Sequence, residues 1–331
     1  MNESRQNYMD VILSETIHDV LFERRLRMNN FKDKQSSCLS EFDFLDSLEN
    51  LKEENMKIGN FTLKKKDDIY YFTIPIFENY GNLFHIFTTR KTGYNDKELD
   101  LGVNTQTALN DVYMNYLKLC ETFNIKQDSI ILSDQVHKDN ILIIDESFKS
   151  NNFLFKRKVK NADGLITNKK NLFLVTLYAD CTPIYFFDPV KEVIALAHSG
   201  WKGTVKKIGE KTVLKMIKEF GCNPKDILVA LGPSIGPESF EVKEDVKNFF
   251  EKIFNEKNFS FSNEIIKPGK NEKYLIDIWK TIEYTLINTG IRKEHILNSN
   301  IDTYKNTDLL FSYRKEKNTG RMAAIMAIID N

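Results

Sequence analysis

The segment around residues 181–198 constrains this chain more than any other. Pro183-Ile-Tyr-Phe-Phe187 and Val193-Ile-Ala-Leu-Ala197 are apolar, strand-like runs separated by Asp188-Pro189-Val190-Lys191, a turn signal with Pro at its second position. The spacing predicts a β-hairpin with its turn centred between Pro189 and Val190. In an antiparallel hairpin that register sets Cys181 directly opposite His198, with Cβ atoms about 4.5–5.5 Å apart. A thiolate and an imidazole at that separation can reach one metal ion through bonds of about 2.0–2.3 Å.

His137 is the third candidate ligand. It lies in Asp134-Gln-Val-His137, between the strand-like runs 130–132 and 141–144. Three nitrogen and sulfur ligands with an open fourth position are the pattern of a catalytic zinc. A metal held by His137, Cys181 and His198 would deprotonate the thiol outright and acidify a bound water. Zinc suits this donor set best, and copper is the alternative because a His₂Cys set also occurs in blue-copper sites. The plainer readings stand beside these. A buried Cys is commonly an inert small hydrophobe, a lone His is commonly a hydrogen-bonded core or surface residue, and no CxxC or HExxH signature is present.

Lys+Arg and Asp+Glu both number 47, so the balanced charge offers no footprint for nucleic acid or an anionic membrane. Four cysteines at 38, 120, 181 and 222 have no paired spacing, the first residues lack a secretory core, and no run approaches the ~18 apolar residues of a membrane span. The expectation is a reduced, soluble, cytoplasmic protein whose oligomeric state cannot be read.

Residues 1–68 read as a polar extension without a sustained strand signal, with helical spacing over 8–30 and again over 41–56. Lysine clusters such as Lys64-Lys-Lys66 read as solvated loops. From residue 69 to 331 strands alternate with amphipathic helices in what reads as one catalytic domain. Strands are expected over 69–77, 83–88, 172–178, the hairpin, 227–231, 309–313 and 322–329, and helices over 107–123, 204–220, 242–254 and 275–288. Gly221 and Gly290 end the second and fourth of these helices. Such an order indicates a mixed α/β (α+β) fold.

Several short motifs follow one another in order. They are Phe87-Thr-Thr-Arg90, Ala162-Asp-Gly-Leu-Ile-Thr167, Ala179-Asp-Cys-Thr-Pro183, Ala197-His-Ser-Gly-Trp-Lys-Gly203, Gly232-Pro-Ser-Ile-Gly236 with Phe240-Glu-Val242, and Phe311-Ser-Tyr-Arg314 with Thr319-Gly-Arg-Met322. Together they resemble the YfiH-like family, also called the multicopper polyphenol oxidase or laccase-domain family, over about residues 69–330. The departures are Ser199 and Lys202, where the family reads Ala and Arg, and Asp100, where Asn is usual. Lys202 keeps charge but loses the planar fork that grips an oxyanion.

The resemblance implies a layered α/β/β/α sandwich with two mixed sheets between helices. It also implies a purine nucleoside phosphorylase acting on adenosine, inosine or 5′-methylthioadenosine, with adenosine deamination as a second activity. Nucleosides and inorganic phosphate are then the expected partners. Nine of the 47 cationic residues are Arg, and Arg90, Arg314 and Arg321 each sit inside a family-like motif, as expected for phosphate ligands; a structural ion pair is the competing reading for each. Cys181, Asp180 and Asp163 are the candidate catalytic residues, though Asp180 beside the metal cysteine could equally brace a ligand. Tyr313 and Phe311 could stack on a base or belong to the core. Three rival readings are a copper polyphenol oxidase, against which the chain's five histidines weigh, a non-catalytic zinc-stabilised binding protein, and a serine hydrolase built on Ser234 in its G-x-S-x-G sequence, with Asp277 and His295.

Overall fold

The computed structural model describes residues 55–93, 97–149, 159–255 and 262–330. These fall within the compact unit Glu53–Asn331. The helices expected over 8–30 and 41–56 lie outside the described residues, save Asn55 and Met56, the latter opening a strand.

In chain order the strands are β1 (Met56–Ile58), β2 (Phe61–Lys66), β3 (Ile69–Thr73), β4 (Leu83–Thr92), β5 (Ile130–Leu132), β6 (Ile141–Ile143), β7 (Gly164–Thr167), β8 (Phe173–Tyr178), β9 (Thr182–Asp188), β10 (Val193–Ser199), β11 (Leu228–Leu231), β12 (Glu241–Val242), β13 (Ile266–Pro268), β14 (Tyr274–Ile276), β15 (Ile296–Asn298) and β16 (Met322–Ile328). The helices are α1 (Leu109–Phe123), α2 (Trp201–Val205), α3 (Ile208–Phe220), α4 (Glu244–Asn255), α5 (Ser262–Ile265), α6 (Ile278–Asn288) and α7 (Tyr313–Glu316). A seven-stranded sheet runs β1-β2-β3-β4-β16-β8-β5, and a six-stranded sheet runs β15-β11-β9-β10-β7-β6. Both are mixed, because β5 lies parallel to β8, β6 to β7 and β11 to β15 among otherwise antiparallel pairs.

The layering follows from which side chains each strand turns to which face. Ile184 and Phe186 of β9 and Ala195 and Ala197 of β10 pack with Val213 and Met216 of α3 and with Ile282 and Leu286 of α6. Tyr185 turns the other way, and its hydroxyl donates to the Ile86 carbonyl of the seven-stranded sheet at 2.9 Å. On that sheet's far side Val175 and Ile325 pack with Val112, Tyr116 and Leu119 of α1. The order is helix, sheet, sheet, helix, and strands covered on both faces are buried along their whole length, as β9, β10 and β16 are. No helix among the described residues is long and apolar enough to cross a membrane.

Several boundaries differ from expectation. The hairpin has the loop 189–192 and pairs Val193 with Asp188, so His198 faces Pro183 and not Cys181. Asp188 sets this register. Its carboxylate accepts the main-chain N–H of Val190 and Lys191 at 2.9 and 3.0 Å, and Glu192 closes the loop at φ 49°. Residues 56–66, expected to lie in a polar extension, pair into the sheet as β1 and β2, with Phe61 and Leu63 in the core. The run Lys64-Lys-Lys66 hides that strand from hydropathy, and lysine is a common guard on strands near a sheet edge. The helix expected over 204–220 breaks into α2 and α3 at Lys207, which takes φ 57°. Residues 309–313 form no strand: Ser312 caps α7 by accepting the Lys315 N–H, and Tyr313 is its first helical residue.

Candidate metal centre

The hairpin's true register still brings the sulfur to the imidazole. A slip of two residues preserves which face a side chain occupies, so Cys181 lies on the same side as Pro183 and therefore as His198, one step diagonal to it. Gly200 occupies the place opposite, where a Cβ would stand 2.9 Å from the Cys181 sulfur and 3.4 Å from His137 Cδ2. The missing side chain is what admits the sulfur and the second ring together. The donor atoms of His137, Cys181 and His198 lie within 4.8 Å of one another, with Cys181 Sγ 4.0 Å from His137 Nε2.

Asp163 builds both histidine positions from a fully buried site. Its carboxylate accepts the main-chain N–H groups of Val136, His137 and Lys138 at 3.3, 2.9 and 2.8 Å, a nest that holds His137 at φ 56°. The same carboxylate lies 2.9 Å from His198 Nδ1. That contact commits Nδ1 and turns Nε2 toward the sulfur, the carboxylate–histidine pairing of metal sites. Burial pushes the Asp163 carboxyl up, but the hydrogen bonds from His198 and the main chain hold it below the usual range. Asp163 does not line the cavity described below; its contacts are to the main chain of 136–138 and to His198.

Burial opposes a charged sulfur, yet the His198 charge and the hydrogen bonds from His137 and His198 outweigh it and bring the Cys181 thiol down to about 6. His198 moves the other way, to about 9, because the sulfur and Asp163 overcome its own burial. Cys120 and Cys222 are driven up to about 12 by burial. One expected result follows. In metal-stripped protein, alkylation of Cys181 by iodoacetamide should rise with pH around a midpoint near 6, because the thiolate exists above the pKa, while Cys120 and Cys222 stay unmodified at neutral pH. Zinc should protect Cys181. Peptide mass mapping across pH 5–9 checks this, and a Cys181 midpoint near that of a free thiol, about 8.5, would contradict the electrostatics.

The centre opens into a cavity of about 590 Å³ lined by His137, Cys181 and His198, by the aromatic rings of Trp201, Phe240 and Tyr313, and by Arg314, Lys317 and Arg321. Arg314 donates through Nη1 to the carbonyls of Ser239 and Glu241 at 3.2 and 3.0 Å and lies 5.3 Å from the Phe240 ring centre. Arg321 Nη1 donates to the carbonyls of Thr319 and Gly320 at 2.6 and 2.8 Å. Neither guanidinium meets a carboxylate among the described residues.

Other expected site residues fall elsewhere. Arg90 does not line the cavity; it binds Glu98 and Glu316 and covers the ring of Phe311, which is core. The expectation of a phosphate ligand therefore does not carry over to Arg90. Asp180, at φ 88°, does line the cavity, but its oxygens accept from Thr303 Oγ1 and Ser312 Oγ at 2.7 Å each and from the Arg314 N–H at 2.5 Å. It braces the wall, with Oδ1 taken by the two hydroxyls and Oδ2 by one main-chain N–H. Ser234 is buried under Thr182 and Trp279, which removes the hydrolase reading. Lys202 lies over the Trp201 ring and is not among the residues lining the cavity. Sequence reasoning did not name Gln135, Phe240 and Lys317 as lining residues; Phe240 stands in one of the motifs, Gln135 two residues before His137, and Lys317 between the motif segments 311–314 and 319–322.

A helix–sheet–sheet–helix body with a Cys-His₂ cluster at the end of its inter-sheet layer defines the class. The family model described as multi-copper polyphenol oxidoreductase laccase matches residues 84–329, and the chain belongs to that family. It is 30% identical over 247 residues to purine nucleoside phosphorylase YlmD of Bacillus subtilis, covering 73% of this chain and 87% of that one. It is 35% identical over 170 residues to purine nucleoside phosphorylase YfiH of Escherichia coli, covering 51% and 65%. The crystal structure of YlmD from Geobacillus stearothermophilus superposes with a TM-score of 0.74 at 26% identity, covering 82% of this chain and all of that one. The structure of the Bacillus licheniformis hypothetical protein YfiH gives 0.72 at 26%, covering 80% and 98%.

Proposed function

We propose that this chain is a zinc-dependent purine nucleoside phosphorylase acting on adenosine, inosine and 5′-methylthioadenosine, with adenosine deamination as a second reaction. The observation that carries the reading is one cavity joining a Cys-His₂ donor set, aromatic walls and the guanidinium groups of Arg314 and Arg321, which donate to main-chain carbonyls. The relatives named purine nucleoside phosphorylase support it. Trp201, Phe240 and Tyr313 offer faces for a purine. Arg314 and Arg321, with Lys317, supply charge and forked donors for phosphate. In the reaction a phosphate oxygen bonds to the ribose C1′ as the bond from C1′ to the purine nitrogen breaks, and the electron pair leaves on the purine, which takes up a proton. His137, Cys181 and His198 would hold the zinc, and Gly200 leaves the room that this donor set needs. Bound there, zinc would supply Lewis acidity at the cavity floor.

The family's description keeps a copper oxidase as the second reading. Among the described residues one group can hold a metal. His85 is buried against Phe77 with its pKa pressed down to about 4 by desolvation, and His295 sits in a separate turn. A multicopper cluster needs more imidazoles than converge here.

The test supplies adenosine with and without phosphate. Adenine and ribose 1-phosphate are expected only with phosphate, and inosine with or without it. Oxygen uptake on a phenolic substrate, with no nucleoside turnover, would overturn the reading.

A further inference from the structure

Three cationic side chains, Arg314, Lys317 and Arg321, reach the cavity from the single stretch 312–321. Like charges gathered on one short stretch repel, so the stretch has to be held. Three carboxylates hold it, and none of them does so through the guanidinium groups of Arg314 or Arg321. Asp180 accepts the Arg314 N–H, and Asp100 accepts the Arg321 N–H at 2.8 Å. Between them Glu316 accepts the Thr319 hydroxyl at 2.7 Å and the Ser312 N–H at 3.3 Å. On this stretch the acids bind main chain and hydroxyls and take up no donor of the Arg314 or Arg321 guanidinium, both of which line the cavity.

Asp100 and Asp180 belong to other parts of the chain, whereas Glu316 lies on the stretch itself and needs an external partner. That partner is Arg90 of β4, whose Nη1 lies 2.8 Å from Glu316 Oε1. Arg90 is in turn fixed on every side. Nε donates to Glu98 at 2.9 Å, Nη1 also donates to the Thr307 carbonyl at 2.8 Å, and the guanidinium lies 4.5 Å from the Phe311 ring centre. Its side chain is 15% exposed, which shields the pair from solvent screening. Gly320 ties the far end of the stretch to the same structure, because a Cβ there would stand 2.6 Å from Phe311 Cζ and 2.7 Å from Asp100 Cγ.

We infer that Arg90 and Glu316 are positioning residues: the pair fixes the stretch 312–321 so that Arg314, Lys317 and Arg321 are arranged for an oxyanion before it arrives. The inference rests on the reading that this cavity takes phosphate. A preset site spares the ligand the cost of ordering the loop, so loss of the pair should appear in phosphate affinity and not in the turnover of the filled site.

Calorimetric titration of inorganic phosphate into the full-length protein, with steady-state kinetics alongside, provides the test. Arg90→Lys, which keeps charge without the fork, and Glu316→Gln, which keeps its hydroxyl partner, should each raise the phosphate Kd and the phosphate KM about tenfold. Nucleoside KM and kcat at saturating phosphate should stay within about twofold. The double variant should be no weaker than the worse single one, because the two residues act through each other. Wild-type affinity in both single variants, or a kcat loss with unchanged phosphate KM, overturns the positioning role alone. A wild-type protein that binds no phosphate overturns it together with the functional reading. Glu316→Gln guards against misfolding of the Arg90 variant.

Discussion

Cys181→Ala protein is expected to retain less than about a tenth of the wild-type zinc and to lose more than about 10²-fold in nucleoside turnover. Among the described residues these three donors are the one group that could hold a metal. The carboxylates beside them are held elsewhere: Asp163 accepts from three main-chain N–H groups and His198, and Asp180 from two hydroxyls and the Arg314 N–H. Two imidazoles alone leave an incomplete set for a metal that prefers four ligands. The variant should still fold, since the change removes one sulfur beside a glycine in a partly open position. Elemental analysis of purified wild type and variant, with turnover measured on adenosine, decides the matter. Equal zinc in both would sink the ligand assignment.

Arg314→Lys should lower kcat/KM for phosphorolysis about 10²-fold while leaving deamination within a few-fold of wild type. One nitrogen of the Arg314 fork is spent on the carbonyls of Ser239 and Glu241, and the ring of Phe240 supports the group. Lysine retains the charge but cannot hold both anchors and still present parallel donors to phosphate. Phosphate enters only one of the two reactions, so the ratio of ribose 1-phosphate to inosine from adenosine is the direct readout. A parallel fall in both products would show that Arg314 serves the nucleoside or the fold instead. No change in either would remove it from the site.

The donor set was legible because thiol and imidazole are unmistakable residue types and because the hairpin's face alternation is local. Counting from the wrong turn centre moved the register by two residues, yet two is the strand period, so Cys181 and His198 stayed on one face. An error of one would have separated them. Phe61 and Leu63 were hidden by the lysines that follow them, although hydropathy did find β8, β10, β11 and β16 to within a residue or two. The 309–313 segment alternated like a strand, but capping by Ser312 and the Arg90 bonds to the Thr307 and Leu310 carbonyls turned it into a loop and a helical turn.

Residue chemistry and short-range periodicity thus named the three side chains of the candidate metal centre, the hairpin that carries two of them and the mixed α/β class. Which polar groups are already spent was not written there. Asp163 reaches its partners across 25–35 residues, Asp180 across 123–134, and Arg90 meets Glu316 across 226. A carboxylate or guanidinium looks the same in sequence whether its hydrogen bonds go to substrate or to the fold. Only the packing of distant segments engages those donors and acceptors: it ties Arg90 to Glu98 and Glu316 away from the cavity, sets Asp163 beneath both histidines, and binds Asp180 to Thr303, Ser312 and the Arg314 main chain.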